Sequence, residues 1–361
     1  MQELSFVIVS GFCSSGSSAV VDLLKEFKGF YEPNAEIRFL RDPYGISDLE
    51  HALVSQWDLI NSSAAISDFL DIMRKSSRPK GVILPMGFGL KKTITPDILK
   101  ITEKYIEDLT DFTYKTDYYH YKFKKSFIKY QLDRYRWAIE RLSKGKLRVA
   151  NRRNIATCYF AHPTQEQFNT ATKAYLDGLF ASRAGTMGCT HVILDQAISV
   201  SNPDAIHRYF NKAKLIIVDR DPRDMYCDDV NWGDNMDDNY ETKEAAERYV
   251  LRARVQREKI KEDPDVLYLK FEDLIINYED TRKKICDFLG VSVEDHIARG
   301  KHLKTEVSIK NIGIWRKFYP TCKEAIDILE AQLADLCYDS SGNYESKNKT
   351  DSKENPRDSS Q

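Results

Sequence analysis

Unbroken apolar runs, with no polar alternation, recur along the chain. The first is Leu4 to Ser10 (LSFVIVS), and the same signature returns at His191 to Leu194 (HVIL), Lys214 to Val218 (KLIIV) and Val266 to Lys270 (VLYLK). A strand with one wet face would alternate, so runs of this kind predict strands buried on both faces of a parallel sheet. After the first run the chain turns through GFCSSGSS and resumes as AVVDLLKEF, where Val20, Leu23, Leu24 and Phe27 recur at helical spacing. Strands separated by helical stretches predict a three-layer α/β/α fold around a central parallel sheet with right-handed crossovers. Between roughly residues 90 and 190 the text changes character. Segments there such as KTDYYHYKFKKSFIKYQLDRYRWAIERL read as mostly helical, an insertion that departs from the alternation of strand and helix. From Asp339 the chain is polar with one aromatic residue, which predicts a disordered tail, 339–361, behind one domain of residues 1–338.

Composition changes that picture little. Hydrophobic residues make up 42% of the 361 and aromatics 11%, as a globular core requires. The formal net charge of -1 argues against a surface coated in positive charge for nucleic acid, although the charge is unevenly spread. Lys115 to Arg153 contain 13 Lys or Arg against three acids, Asp117, Asp133 and Glu140. Two readings of that stretch stay open. One is a solvated helical face; the other is a basic, Tyr-bearing groove for saccharides, anionic glycans or lipid headgroups, with peripheral contact to an anionic surface. Seven cysteines, with no C-x-x-C pair and no His or Cys at metal-ligand spacing, predict neither a disulfide framework nor a metal site. The opening MQELSFVIVSGF has no basic stretch followed by a long apolar one, which predicts a cytoplasmic chain without an export signal.

Candidate chemistry begins at Gly11-Phe12-Cys13-Ser14-Ser15-Gly16-Ser17-Ser18, between the first strand and the first helix. A turn in that position points backbone N–H groups at an anion and adds the positive end of a helix, so it is suited to phosphate. The spacing is that of a Walker loop, G-x-x-x-x-G-K-[ST], with Ser17 where the Lys belongs. Without that Lys a nucleotide or sugar kinase loses its main charge on the phosphates. A Ser- and Gly-rich turn that binds nothing is the plain alternative.

The segment resembles the first donor-binding motif of the sulfotransferase superfamily, G-x-P-[RK]-[ST]-G-[ST]-[ST], which implies a P-loop fold. Gly11, Ser15, Gly16, Ser17 and Ser18 match, whereas Cys13 replaces the Pro and Ser14 replaces the basic residue. The run KLIIVDRDPRDMYCDD resembles the second donor motif, whose leading Arg, here Arg220, pairs with the donor's 3′-phosphate; the family's Ser eight residues later is Asp228 here. A network of Arg220 and Arg223 with Asp219, Asp221 and Asp224 is the structural alternative. VLYLKFEDLIINYEDTRKKICDFLGV is similar to the family's Tyr-Glu-Asp-Leu region, with Phe271 for the Tyr, so an adenine contact there would be stacking without a hydroxyl. SIKNIGIWRKFYP resembles the closing G-x-W-[RK] segment through Gly313, Trp315 and Arg316, which makes Lys310 a candidate phosphate ligand and Arg316 a weaker one.

The resemblance implies a sulfuryl donor, PAPS (3′-phosphoadenosine 5′-phosphosulfate), a PAP product, no metal, and a hydroxyl-bearing acceptor, with a saccharide or glycolipid favoured over nucleic acid. Ser14, Ser15, Gly16, Ser17, Ser18, Arg220 and Lys310 would bind the donor. A base must take the acceptor's proton. Glu36, some 20 residues past the phosphate loop, sits where relatives acting on protein tyrosine place a catalytic Glu. Glu32 is its near competitor, with Arg38 beside them to position either one. Asp195, at the predicted end of a strand, is a further candidate for the acceptor side. His120, His162 and His191 have no spacing that ties them to the donor loop. A kinase and a binding module without turnover remain as rivals.

Overall fold

The computed structural model describes residues 4–80, 87–116, 127–144, 156–231, 240–258 and 260–338. The predicted tail, 339–361, lies outside the described residues, as do His120 and parts of the basic stretch. β1 (Ser5–Gly11) leads through the Gly-rich turn into α1 (Ser17–Leu24), and a short β2 (Phe30–Tyr31) follows. Next come α2 (Leu59–Ser76), α3 (Ile98–Leu109), β3 (Phe112–Thr116), α4 (Phe127–Leu142), β4 (Ala156–Phe160) and α5 (Gln165–Met187). β5 (His191–Asp195), β6 (Ala213–Asp219), α6 (Pro222–Asn231), α7 (Lys243–Arg257) and β7 (Val266–Lys270) complete the sheet. The chain then runs through α8 (Phe271–Ile276), α9 (Tyr278–Leu289) and α10 (Trp315–Gln332).

The central sheet has the order β2-β5-β1-β6-β7, and every pairing in it is parallel. Each apolar run of the sequence became a strand because both of its faces are covered. Phe6 and Ile8 of β1 enter one core with Leu194, Leu215 and Ile217, while Val7 and Val9 enter a second core with Ile193, Ile216 and Val218. This is the three-layer arrangement that the unalternated runs required. From β1 the chain first builds β2 and β5 on one side and later β6 and β7 on the other. The C-terminal end of β1 is therefore a point where strand order reverses, and open α/β sheets bind ligands there.

The region expected to be mostly helical is mixed. α3, α4 and α5 are helices, but β3 and β4 pair antiparallel, Phe112 opposite Phe160 through Thr116 opposite Ala156. The stretch read as helical from Lys115 thus begins as strand. Phe, Tyr and Thr favour a pleated surface, and the stacked rings of Phe112 and Phe160, 4.7 Å between centroids, close the pair. No helix among the described residues is long and apolar enough to cross a membrane.

One buried carboxylate fastens a distant loop to α1. Glu26, just past the helix, accepts from His296 Nε2 at 2.7 Å and from the backbone N–H groups of Gly300, His302 and Leu303 at 3.1, 2.7 and 2.9 Å. Burial alone would raise its pKa, but the bonds from His296 and the backbone hold the carboxyl below its usual range. A depressed carboxylate contributes stability above its unfolded pKa and loses it as pH falls through the folded value. Glu26→Ala would leave the His296 ring and the N–H groups of Gly300, His302 and the buried Leu303 without this partner, and is expected to cost about 3 kcal/mol or more. Denaturant melts at neutral pH check this; an unchanged midpoint would show that the loop is held by other contacts.

Candidate active site at the C-terminal sheet edge

The Gly-rich turn folds tightly. Ser15 N–H bonds back to the Phe12 carbonyl at 3.0 Å, and Ser14 and Gly16 both take left-handed backbone angles, φ 58° and 77°. A Cβ on Gly16 would stand 2.6 Å from the Phe271 ring, so only glycine lets α8 approach the turn. α1 starts at Gly16 with no side-chain cap. A helix start without a side-chain cap leaves its first N–H groups available to an anion. The Ser15 hydroxyl is buried without a hydrogen-bond partner.

Beside the turn lies a cavity of about 480 Å³, lined by Ser14, Gly16 and Ser18 on one side and by Arg220, Phe271 and Lys304 on others. Its volume is within the range of small-molecule sites. Arg220 leaves the end of β6 almost fully buried. Its guanidinium donates to the Ser14 carbonyl at 3.0 Å, to Asp228 and to the Asn311 carbonyl, while Nε has no partner. The Phe271 ring lies 5.3 Å from the guanidinium carbon. α6 brings two carboxylates to the same place. Asp228 pairs with Arg220, and Asp229 accepts from the Ser14 hydroxyl at 2.5 Å. Arg223 is held by Asp221 at 2.7 Å. Asp224 accepts from the N–H groups of Gly313 and Trp315 at 2.6 and 3.0 Å, and burial raises its pKa to about 6.

The acidic corner forms on the other side of β1. Asp195 ends β5 with one carboxylate oxygen buried and unpartnered. Burial, reinforced by the charges of Glu36 and Glu32 and opposed by Arg41, pushes its pKa up to about 6. Its backbone carbonyl accepts from Ile37 N–H at 2.9 Å, which fixes the loop bearing Glu36 against the strand end. Glu36 is half exposed, with Arg38 Nη1 3.4 Å away. Glu32 accepts from Asn34 N–H at 2.6 Å, and burial raises its pKa. Gln196, next in the chain, adopts φ 57° and donates through Nε2 to the Ser17 hydroxyl at 2.8 Å. A carboxyl that holds its proton to about pH 6 can accept one from a hydroxyl at neutral pH.

Most of the residues expected from the sequence come together. Ser14, Gly16, Ser18 and Arg220 line one cavity; Ser15 lies buried behind them and Ser17 turns to Gln196. Lys310 does not join them. It is exposed, and the cation on that wall is Lys304, with His302 beside it. Glu26 delivers that wall from 276 or more residues away in sequence, so no local signal could have found it. Asp229 and Gln196 were also missed; each is a polar residue adjacent in sequence to one that was singled out. His191 stacks on Phe30 at 4.5 Å, and His162 sits edge-on to Trp57. At the opposite edge of the sheet His207, Asp263 and Asp265 bring their ligand atoms within 4.8 Å of one another, with Lys214 Nζ 2.7 Å from Asp265.

The sequence profile of a sulfotransferase family matches residues 114–295. That span includes Arg220, Asp228 and Phe271 and omits the Gly-rich turn. No curated protein sequence matches the chain. Among solved structures it is similar to the sulfotransferase domain of the olefin synthase from Synechococcus PCC 7002, at 16% identity over 93% of this chain and 95% of that one, TM-score 0.38. The sulfotransferase domain from the curacin biosynthetic pathway gives 12% identity over 92% and 98%, TM-score 0.36. A sulfotransferase from Alicyclobacillus acidocaldarius gives 13% over 92% and 97%, TM-score 0.33.

Proposed function

The chain belongs to the sulfotransferase family, and from that premise we propose that it moves a sulfuryl group from PAPS to a hydroxyl of a saccharide or glycolipid. The observation that carries the donor half is the uncapped start of α1 behind Gly16, opening on a cavity that also holds Arg220 and Phe271. In this reading Ser14 to Ser18 cradle the phosphosulfate through backbone N–H groups, and Phe271 offers a face to the adenine. Arg220 takes the 3′-phosphate, with Lys304 in the place first assigned to Lys310. The acceptor oxygen attacks sulfur in line, its proton passes to a carboxylate of the Glu36 and Asp195 corner, and the sulfur–oxygen bond to the phosphate breaks, releasing PAP. Residues 1–338 form the working unit, and the 90–190 region faces the acceptor.

A second reading has a specific observation behind it. Asp228 already occupies Arg220, and Asp229 the Ser14 hydroxyl, so carboxylates stand where donor phosphates would be met. A module that binds a nucleotide without turning it over would tolerate this.

Calorimetric titration with PAP, run beside ATP plus Mg²⁺, separates these readings. Micromolar PAP binding with no ATP response is the expected result, weakened roughly tenfold or more in Arg220→Ala. Adenosine 5′-phosphosulfate, which lacks the 3′-phosphate, should bind that variant almost as it binds the parent. ATP binding alone would favour a kinase, and equal losses for both ligands would indicate a folding defect in the variant. PAP binding without sulfuryl transfer to any saccharide would favour the binding module.

A further inference from the structure

α4 carries an apolar stripe that the fold does not cover. Ile128, Leu132, Tyr135, Ile139 and Leu142 are 71%, 49%, 67%, 46% and 84% exposed. Their spacing of four, three, four and three residues places all five within an arc of about 80° on one side of the helix. Among the described residues, no other element makes extensive contact with α4. Five large apolar side chains aligned and left in water form a patch of the kind that marks an interaction surface rather than the scattered exposure of any globular protein.

The charge around the stripe selects its partner. In sequence the helix has Lys129, Arg134, Arg136 and Arg141 against Asp133 and Glu140, and the whole stretch from Lys115 to Arg153 has an excess of 13 minus 3, or ten, positive charges. Stripe spacing of this kind also suits helix pairing, in which charges beside the seam meet those of the partner helix. Here the positions flanking the stripe are Lys129, Gln131, Arg136 and Ala138, with no carboxylate among them. A second copy paired antiparallel would set Lys129 and Arg136 beside the same residues of its partner, and one paired parallel would meet them with Gln131 and Ala138, so neither arrangement brings a carboxylate to them. Nucleic acid would answer the charge but leave the apolar residues in water. An anionic bilayer answers both, since the stripe sinks to the level of the acyl chains while the basic residues meet the headgroups.

We propose that α4 is a membrane-surface helix, which docks the protein on anionic lipid by burying Ile128, Leu132, Tyr135, Ile139 and Leu142 in the interface. The proposal stands apart from the sulfuryl-transfer reading, because adsorption needs neither donor nor turnover.

The test is co-sedimentation of the full chain with vesicles of phosphatidylcholine alone or mixed with phosphatidylglycerol. Binding to the mixed vesicles, little to the neutral ones, and weakening as salt is raised are expected. Leu132→Glu with Ile139→Glu should lower the partition coefficient by roughly tenfold or more. Both side chains are exposed, so the thermal midpoint should not move. Ile128→Glu with Leu142→Glu, at the helix ends, gives an independent pair. Absence of binding to the anionic vesicles, or equal binding by both variant pairs and the parent, overturns the proposal. A parent that is dimeric by light scattering and becomes monomeric in either variant pair also overturns it, and assigns the stripe to a second copy.

Discussion

Glu36→Gln and Asp195→Asn are each expected to lower turnover by roughly 10²-fold or more while leaving PAP affinity within about twofold of the parent. The two carboxylates share one corner and differ in environment. Glu36 is half exposed beside Arg38, whereas Asp195 has a buried, unpartnered oxygen and a pKa pushed up to about 6 by burial and by its neighbours. A base works deprotonated, so turnover governed by Asp195 should rise with pH through about 6 and then level. If Asp195 takes the proton, that limb survives in Glu36→Gln at reduced height and is absent from Asp195→Asn. If Glu36 takes it, Asp195 is a positioning residue, and turnover falls further in Glu36→Gln than in Asp195→Asn. Turnover reduced less than tenfold in both variants would remove this corner from the chemistry. The measurement is initial rate against pH at saturating donor, with PAP titration as the control for folding.

The second large effect concerns Asp228. Asp228→Ser is expected to tighten PAP binding by roughly tenfold or more, with a much smaller change for adenosine 5′-phosphosulfate. The carboxylate pairs with Arg220 and lines the cavity where a 3′-phosphate would approach that same guanidinium. Two like charges about 4 Å apart repel by about 4 kcal/mol at the effective dielectric of a protein surface. Part of that is offset, because Arg220 loses a partner until the phosphate arrives. A serine also restores a hydroxyl that can donate to phosphate, as the resemblance to the family's second motif implies. Calorimetry on parent and variant decides the matter. Weaker PAP binding in Asp228→Ser would show that the carboxylate organises Arg220 rather than competing for it.

Four of the five strands of the main sheet, all but the two-residue β2, were legible because burial on both faces leaves a one-dimensional trace, an apolar run without alternation. The turn before α1 was legible for a similar reason, since a phosphate-type turn needs small residues in consecutive positions. β3 and β4 were not legible. Their paired residues lie 40 to 48 positions apart in the chain, and Phe112 to Thr116 alternate within a Lys- and Tyr-rich stretch that reads equally as helix. The corner of Asp195 and Glu36 was visible only as separate residues. What joins them is the bond from Ile37 N–H to the Asp195 carbonyl, made possible by β2 pairing with β5. Lys310 and Lys304 differ for the same reason. Distance along the chain to Trp315 favoured Lys310, but the wall of the cavity is set by the grip of Glu26 on Gly300, His302 and Leu303.

The pairing of Arg220 with Asp228 also bears on which anions the site can ignore. With its counter-ion supplied by the protein, the guanidinium offers little to a free inorganic phosphate or sulfate, which would have to displace a carboxylate held at high effective concentration. A ligand anchored at the Gly-rich turn arrives at Arg220 as a tethered competitor and can win that exchange. On the proposed reading, the site would favour ligands with two anionic groups at a fixed separation over single oxyanions.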